Sequence, residues 1–206
     1  MKKSDQTRLL IIEKAAALFN KQGFAGTSMQ DIMDATGLTK GGIYGNFKRD
    51  AKDKKGVKDE IAVAAFAHSV ERVGLEIRQR TKVIDNSIDK LKAVVYFYKE
   101  RILNPPIEGG CPILNTSIEA DDNHPMLRQE VLQAIEFWHH GIASTIRKGI
   151  ERSEIKEGTD PEDFATVFIG TLEGGILLAR IYKNLDRFNV MATQLLAMLE
   201  DIRFRK

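Results

Sequence analysis

The chain has 206 residues, a formal net charge of +2, 43% hydrophobic residues and one cysteine. That length and apolar content suffice for a packed core in one or two domains. The single cysteine excludes an intrachain disulfide, and the near-neutral balance excludes a basic coat that wraps nucleic acid over its whole surface. The small excess is uneven: residues 1–60 hold 12 Lys/Arg against 8 Asp/Glu, whereas 61–206 hold 19 against 21.

In chain order, the first helix is expected from Ser4, as its cap, to Gln22, with Ile12, Ala15, Ala16 and Phe19 as its buried stripe and Gly23 as its end. It is no secretion signal, because Glu13 and Lys14 interrupt the apolar LLII. The segment TSMQDIMDATGLTKGGIYGNF, 27–47, then predicts two short helices. Ser28 with Asp31 makes a capping box, Gly37 suits a left-handed stop, and Thr39 caps the second helix. Leu38 and Ile43 are spaced as a hydrophobic staple, and Ile43 and Phe47 share one inward face. The opposite face shows Lys40, Gly41, Tyr44 and Gly45. Adjacent glycines at 41 and 42 cost about 1 kcal/mol each against alanine. A helix that must approach another backbone, such as a DNA phosphate backbone, has a reason to carry them. Helix, glycine turn, helix is the helix-turn-helix pattern.

These residues closely resemble the DNA-binding domain of the TetR family of transcriptional repressors. Phe19, Gly23 and Phe24 match the end of that family's first helix. Thr27, Ser28, Asp31 and Ile32 match the start of its second. Gly37, Thr39, Lys40, Gly41, Tyr44 and Phe47 match its reading helix. The resemblance implies DNA contacts from Thr27, Ser28, Met29, Thr39, Lys40, Gly41, Gly42, Tyr44, Gly45, Asn46 and Lys48. One departure stands out. About eight extra residues separate Phe47-Lys48 from the expected start of helix four at Lys58, and this insert (49–57) carries Arg49, Lys52, Lys54 and Lys55. It is either a phosphate-contacting arm or a solvated loop.

Beyond it, helices are expected over Lys58–Lys82, Asn86–Leu103, Pro112–Asp121, a long stretch to Ser153, Pro161–Asn184 and Phe188–Arg203. Asp160 should cap the helix that Pro161 opens. No strand pattern and no run of ~18 apolar residues is present, so no membrane partner is expected. The fold class is all-α: a three-helix DNA-binding domain (1–57) and a larger helical domain (58–206), about nine helices in total. Gly109-Gly110-Cys111-Pro112, Asn115 and His124-Pro125-x-Leu127-Arg128 resemble one large branch of the family. The resemblance implies that the second domain binds a small molecule and dimerises. Candidate pocket residues are Phe66, Ser69, Tyr96, Phe97, Cys111, Trp138 and Phe168, with His68 or His139 as polar handles.

Gly170 and Gly174, four apart, with Leu177, Leu178, Leu195 and Leu199, predict a homodimer through a four-helix bundle. Adjacent His139 and His140 point about 100° apart, so no metal is expected. No cofactor is expected either. An enzyme is disfavoured because nucleophile–base spacing and phosphate loops are missing. The resulting expectation is a cytoplasmic homodimeric repressor, released from palindromic double-stranded operator DNA by a small-molecule effector. Two alternatives stay open: signalling by covalent modification of Cys111 at a helix start, or a helical interaction module that does not bind DNA.

Overall fold

The computed structural model describes residues 2–47 and 56–205, and only the backbone of 121–123. Among these residues the fold is all-α: α1 Lys3–Gly26, α2 Met29–Thr36, α3 Lys40–Tyr44, α4 Val57–Thr81, α5 Ser87–Arg101, α6 Pro112–Asn123, α7 Pro125–Glu151, α8 Pro161–Tyr182 and α9 Asp186–Asp201. An isolated antiparallel bridge joins Ile155 to Arg203. α2, α3, α5 and α8 begin where a side chain receives their first free N–H groups. Asn86 Oδ1 accepts from Asp89 N–H at 3.1 Å, and Asp160 Oδ1 accepts from Glu162 and Asp163 at 2.9 and 3.0 Å.

The first helix departs from expectation at both ends. Ser4 lies inside α1, and Lys2 precedes it, its N–H donating to Asp5 at 3.2 Å. Gly23 does not end the helix but kinks it, at φ +78°, and one more turn follows to Gly26. The fully buried face runs Ile11, Ala15, Ala16, Asn20, a four-residue step that leaves Ile12 and Phe19 only half-buried at its flank.

The chain forms two compact units, residues 1–72 with 107–132, and residues 73–106 with 133–206. This division differs from a boundary at 57/58. The first part of α4 joins the N-terminal helices because Val57, Ile61 and Ala65 complete one buried cluster with Ile11, Ala15, Ala16, Ile32, Ile43 and Phe47. In the second unit α8 packs on α9. A Cβ on Gly175 would sit 3.0 Å from Phe188 and 3.2 Å from Met191, so glycine sets the approach. Leu172, Ile176 and Ala179 of α8 and Phe188, Ala192, Leu195 and Leu199 of α9 are buried. α8 is the one helix among the described residues long and apolar enough to cross a membrane by length and composition, a property the run-length reading missed. A core helix of a water-exposed protein meets the same criterion, and the buried α8 side chains have that role here.

α9 is also tied to α5 by charge. Glu200 accepts from Lys92 and from Arg203, and Arg203 reaches Asp89 at 2.9 Å. The hydrogen bond from Arg203, then that from Lys92, pulls the Glu200 carboxyl down to about 2. A carboxylate with a depressed folded pKa adds stability above its ordinary value of 4.5, lost as pH falls toward about 2. Glu200→Gln should therefore lower the melting midpoint at pH 7. In melting curves across pH, that deficit should shrink below pH 4.5 and vanish near pH 2.

Candidate nucleic-acid interface

α3 has five residues, too few to persist without tertiary support. Its support is visible. Ile43 and Phe47 are both 0% exposed, and half-buried Leu38 packs against the same cluster. Arg8 of α1 fixes the C-terminal end: its guanidinium lies 4.1 Å from the Phe47 ring centroid and donates to Asn46 O at 2.7 Å. The turn before α3 is closed at each step. Thr36 Oγ1 donates to Ile32 O at 2.7 Å, Gly37 takes φ +67°, and Thr39 Oγ1 accepts from Gly42 N–H at 3.3 Å.

α2 is set by the expected capping box. Ser28 N–H and its hydroxyl both donate to Asp31 Oδ2 at 2.7 Å, and Ser28 Oγ accepts from Asp31 N–H at 3.1 Å. The Ser28 hydroxyl, then the Ser28 amide, hold the Asp31 carboxyl below the usual carboxylate range. The box thereby fixes the start of α2 beside the reading face.

With α3 anchored this way, Lys40, Gly41, Tyr44 and Gly45 face solvent together. Lys40 Nζ lies 5.4 Å from the Tyr44 ring centroid, a cation–π pair that holds the amine over the ring. Nothing lies within 4 Å of the Cβ position at Gly41, so the surface there stays open to an approaching backbone. Ser28 and Thr39 are exposed, and Met29 and Gly42 are half-buried at the edge of this face. Asn46 is half-buried and donates to Gly42 O at 2.7 Å, so one of its two amide hydrogens already serves the helix.

Thr27 is a correction. It is 0% exposed and its hydroxyl donates to Gly23 O at 2.8 Å, which removes it from any DNA-facing role. Lys48 and insert positions 49–55 lie outside the described residues. Of the insert, Gly56 and Val57 are described: Gly56 N–H donates to Asp59, and buried Val57 begins α4. Sequence reasoning missed Arg8, whose partners lie 38 and 39 positions away and leave no local signal.

The candidate pocket residues divide between the two units. Phe66, Ser69 and Cys111 belong to the first, and Tyr96, Phe97, Trp138 and Phe168 to the second. Phe66 and Ser69 line a small cleft with Asn20, Asn115, Glu119 and Leu127. Phe97 and Phe168 are core, at 1% and 0% exposure. Tyr96 is a correction, because it points to solvent at 47% exposure. Trp138 is half-buried, its ring 6.2 Å from that of Tyr98. Cys111 is buried at the N-cap of α6. His68 is half-buried, and its Nε2 is buried without a hydrogen-bond partner among the described residues. His139 Nε2 lies 3.0 Å from Thr166 Oγ1. No group of three metal-ligating side chains occurs among the described residues.

The dimer candidates also divide. Gly170, Leu177 and Leu178 are exposed on α8 and Gly174 is half-buried, in one stripe with exposed Val167 and Ile181. Leu195 and Leu199 are corrections: both are 0% exposed, packed inside their own chain in the α8–α9 core.

An anchored second helix of a helix-turn-helix, offering a lysine, a tyrosine and an open Gly41, defines a helix-turn-helix transcriptional regulator. Comparisons with known proteins agree. The family model for bacterial regulatory proteins of the tetR family matches residues 11–52, and that for the tetracyclin repressor-like C-terminal domain matches residues 87–195. The chain is 37% identical to a TetR transcriptional regulator of Chloroflexus aurantiacus, over all of both chains, with a TM-score of 0.91. It is 35% identical to a TetR-family regulator of Cytophaga hutchinsonii, over 100% and 99% of the two chains, with a TM-score of 0.88. It is also 25% identical to the HTH-type transcriptional repressor DhaR of a Mycobacterium species, over 93% of each. The chain belongs to the TetR family of transcriptional regulators, and is not an enzyme.

Removing the cap should be measurable in isolation. Ser28→Ala should destabilise the chain by about 1 kcal/mol in denaturant unfolding. In an NMR titration it should return the Asp31 carboxyl toward its ordinary value.

Proposed function

We propose that the protein is a homodimeric repressor that binds two half-sites of a palindromic operator in the cytoplasm and is released by a non-covalent small-molecule effector. The observation that carries the DNA-binding part is the exposed Lys40–Gly41–Tyr44–Gly45 face, held by buried Ile43 and Phe47. Such a face suits insertion into the major groove. Lys40 and the caps Ser28 and Thr39 would contact phosphates or base edges, and Tyr44 the backbone. Met29, Gly42, Asn46 and Lys48 complete the proposed contact set.

The dimer reading rests on α8. Val167, Gly170, Gly174, Leu177 and Ile181 follow steps of three and four residues, and Val167, Leu177 and Ile181 are 49%, 45% and 72% exposed. An apolar stripe of this regularity is costly in water, and a two-fold partner helix would cover it. Two heads on one dimer then read half-sites about 34–36 Å apart. Repression, rather than activation, is the role carried by the name of the related DhaR.

The effector reading is supported by the small cleft that Phe66 and Ser69 line with Phe19, Phe24 and Leu127. A non-covalent effector is favoured over modification of Cys111, which is only 8% exposed. The boundary between DNA-binding and effector functions is proposed at 57/58, although compactness divides the chain elsewhere.

Lys40→Ala combined with Tyr44→Ala should weaken binding to the protein's promoter DNA at least about a hundredfold in a mobility-shift assay, while sedimentation still shows a dimer. Unchanged affinity would remove α3 from the DNA contact. Leu177→Glu with Ile181→Glu should give a folded monomer in sedimentation. A dimer that survives both charges would place the interface elsewhere. Wild-type affinity should also fall steeply between 50 and 200 mM salt, as roughly 6–10 neutralised phosphates require.

A further inference from the structure

The first unit contains a polar latch that the DNA-contacting role does not explain. Near the end of α1, Asn20 is 8% exposed, and its Nδ2 donates to Glu108 O at 2.9 Å and Gly110 O at 3.1 Å. From α6, Asn115 Nδ2 lies 3.0 Å from both Asn20 O and Asn20 Oδ1, and 2.8 Å from Gly109 O. Asn20 thereby holds the main chain of the loop before α6, and Asn115 holds α1 by main-chain and side-chain atoms at once. Gly109 takes φ +110°, and a Cβ there would lie 2.3 Å from Asn20 O, so only glycine lets the loop close on α1.

Two further contacts flank the pair. Glu119 of α6 accepts from Ala25 N–H at 3.0 Å, just past the Gly23 kink, where any Cβ would strike the Glu119 carboxylate. At the end of α6, His124 Nε2 lies 3.1 Å from Asp59 Oδ1 of α4, while His124 Nδ1 accepts from Leu127 N–H at 3.2 Å. The Phe24 ring is held between His124, with centroids 4.5 Å apart, and Lys58 Nζ, 4.2 Å from its centroid.

Simple packing does not need this arrangement. A buried Asn20 facing a half-buried Asn115 costs free energy where donors go unmatched, and an apolar pair would serve a mere seam. A directional network of this kind ties the position of α6 and the loop before it to that of α1, which is what passing a bias between elements needs. α1 runs unbroken from Asn20 back to Ile11, about 14 Å at 1.5 Å per residue. Ile11, Ala15 and Ala16 lie in the cluster that holds Ile43 and Phe47 under the reading face.

We propose that Asn20 and Asn115 are positioning residues that couple α6 to the reading head through α1, alongside any route through α4. The inference rests on the DNA-binding reading above. Coupling is reciprocal: if the state of α6 biases the head, DNA on the head must bias α6. No effector is then needed for the test. The probe is a duplex that the wild-type protein selects from a randomised library, and the readout is amide hydrogen exchange on the full-length dimer with and without it.

In the wild type, saturating duplex should slow exchange at 28–46, by contact, and change exchange at Ala25 and 111–119 on the order of fivefold. In Asn20→Ala and, separately, Asn115→Ala, protection at 28–46 should persist while the change at Ala25 and 111–119 disappears. Wild-type-like exchange at 11–16 and 57–65 without duplex, in the core of the same unit, reports that each variant is folded there. If both unfold, Asn115→Asp, which keeps the shape and removes the donors, is measured in their place and must show the same loss. A wild-type response confined to 28–46, or a response at 111–119 that survives in the folded variants, overturns the latch and leaves DNA binding intact. No protection at 28–46 in the wild type overturns the DNA-binding reading and the latch together.

Discussion

Burial of Ile43 and Phe47 is the constraint on which the rest depends. A five-residue helix has no stability of its own, because nucleation fixes more backbone freedom than so few hydrogen bonds return. α3 exists because those two side chains are removed from water against Ile11, Ala15, Ile32 and Ile61. Losing the Phe47 ring alone would cost about 3–5 kcal/mol by cavity formation. Everything that faces outward follows from what faces inward: with 43 and 47 fixed, 40, 41, 44 and 45 are carried to the opposite side.

The same cluster explains why compactness does not respect the beginning of α4. Val57, Ile61 and Ala65 are part of the core of the head, and α6 is pinned to α1 by Asn20 and Asn115. The reading surface is thus supported from α1, α4 and α6 together. Each element of the Gly-Gly-Cys-Pro, Asn and His-Pro pattern acquires a physical task in this arrangement. Gly109 admits close approach, Cys111 and Pro112 open α6, Asn115 grips α1, and His124 closes α6 onto α4.

Local chemistry made much of this legible in the sequence. The Ser28–Asp31 box, the Gly37 stop, the Thr39 cap and the Asp160 cap each depend on residues within a few positions, and each forms. Long-range choices were not legible. Thr27 looks like a phosphate contact until the kink at Gly23 offers its carbonyl. Leu195 and Leu199 have the spacing of an interface stripe, yet that spacing serves equally for packing on α8, which is where both lie. Asn20 looks like a surface residue because its partners are 88 to 95 positions away. Arg8 is hidden in the same way. A pattern of apolar spacing says that a face is covered, but the covering partner is decided by the fold.

The proposed mode of DNA binding requires a symmetric pair of heads, each presenting α3. The most direct test is a hydroxyl-radical footprint of the wild-type protein on a duplex that it selects from a randomised pool. Two protected tracts, related by two-fold symmetry and centred one helical turn apart, about 10–10.5 base pairs, are the predicted result. A single protected tract, or even protection along the whole duplex, would contradict it.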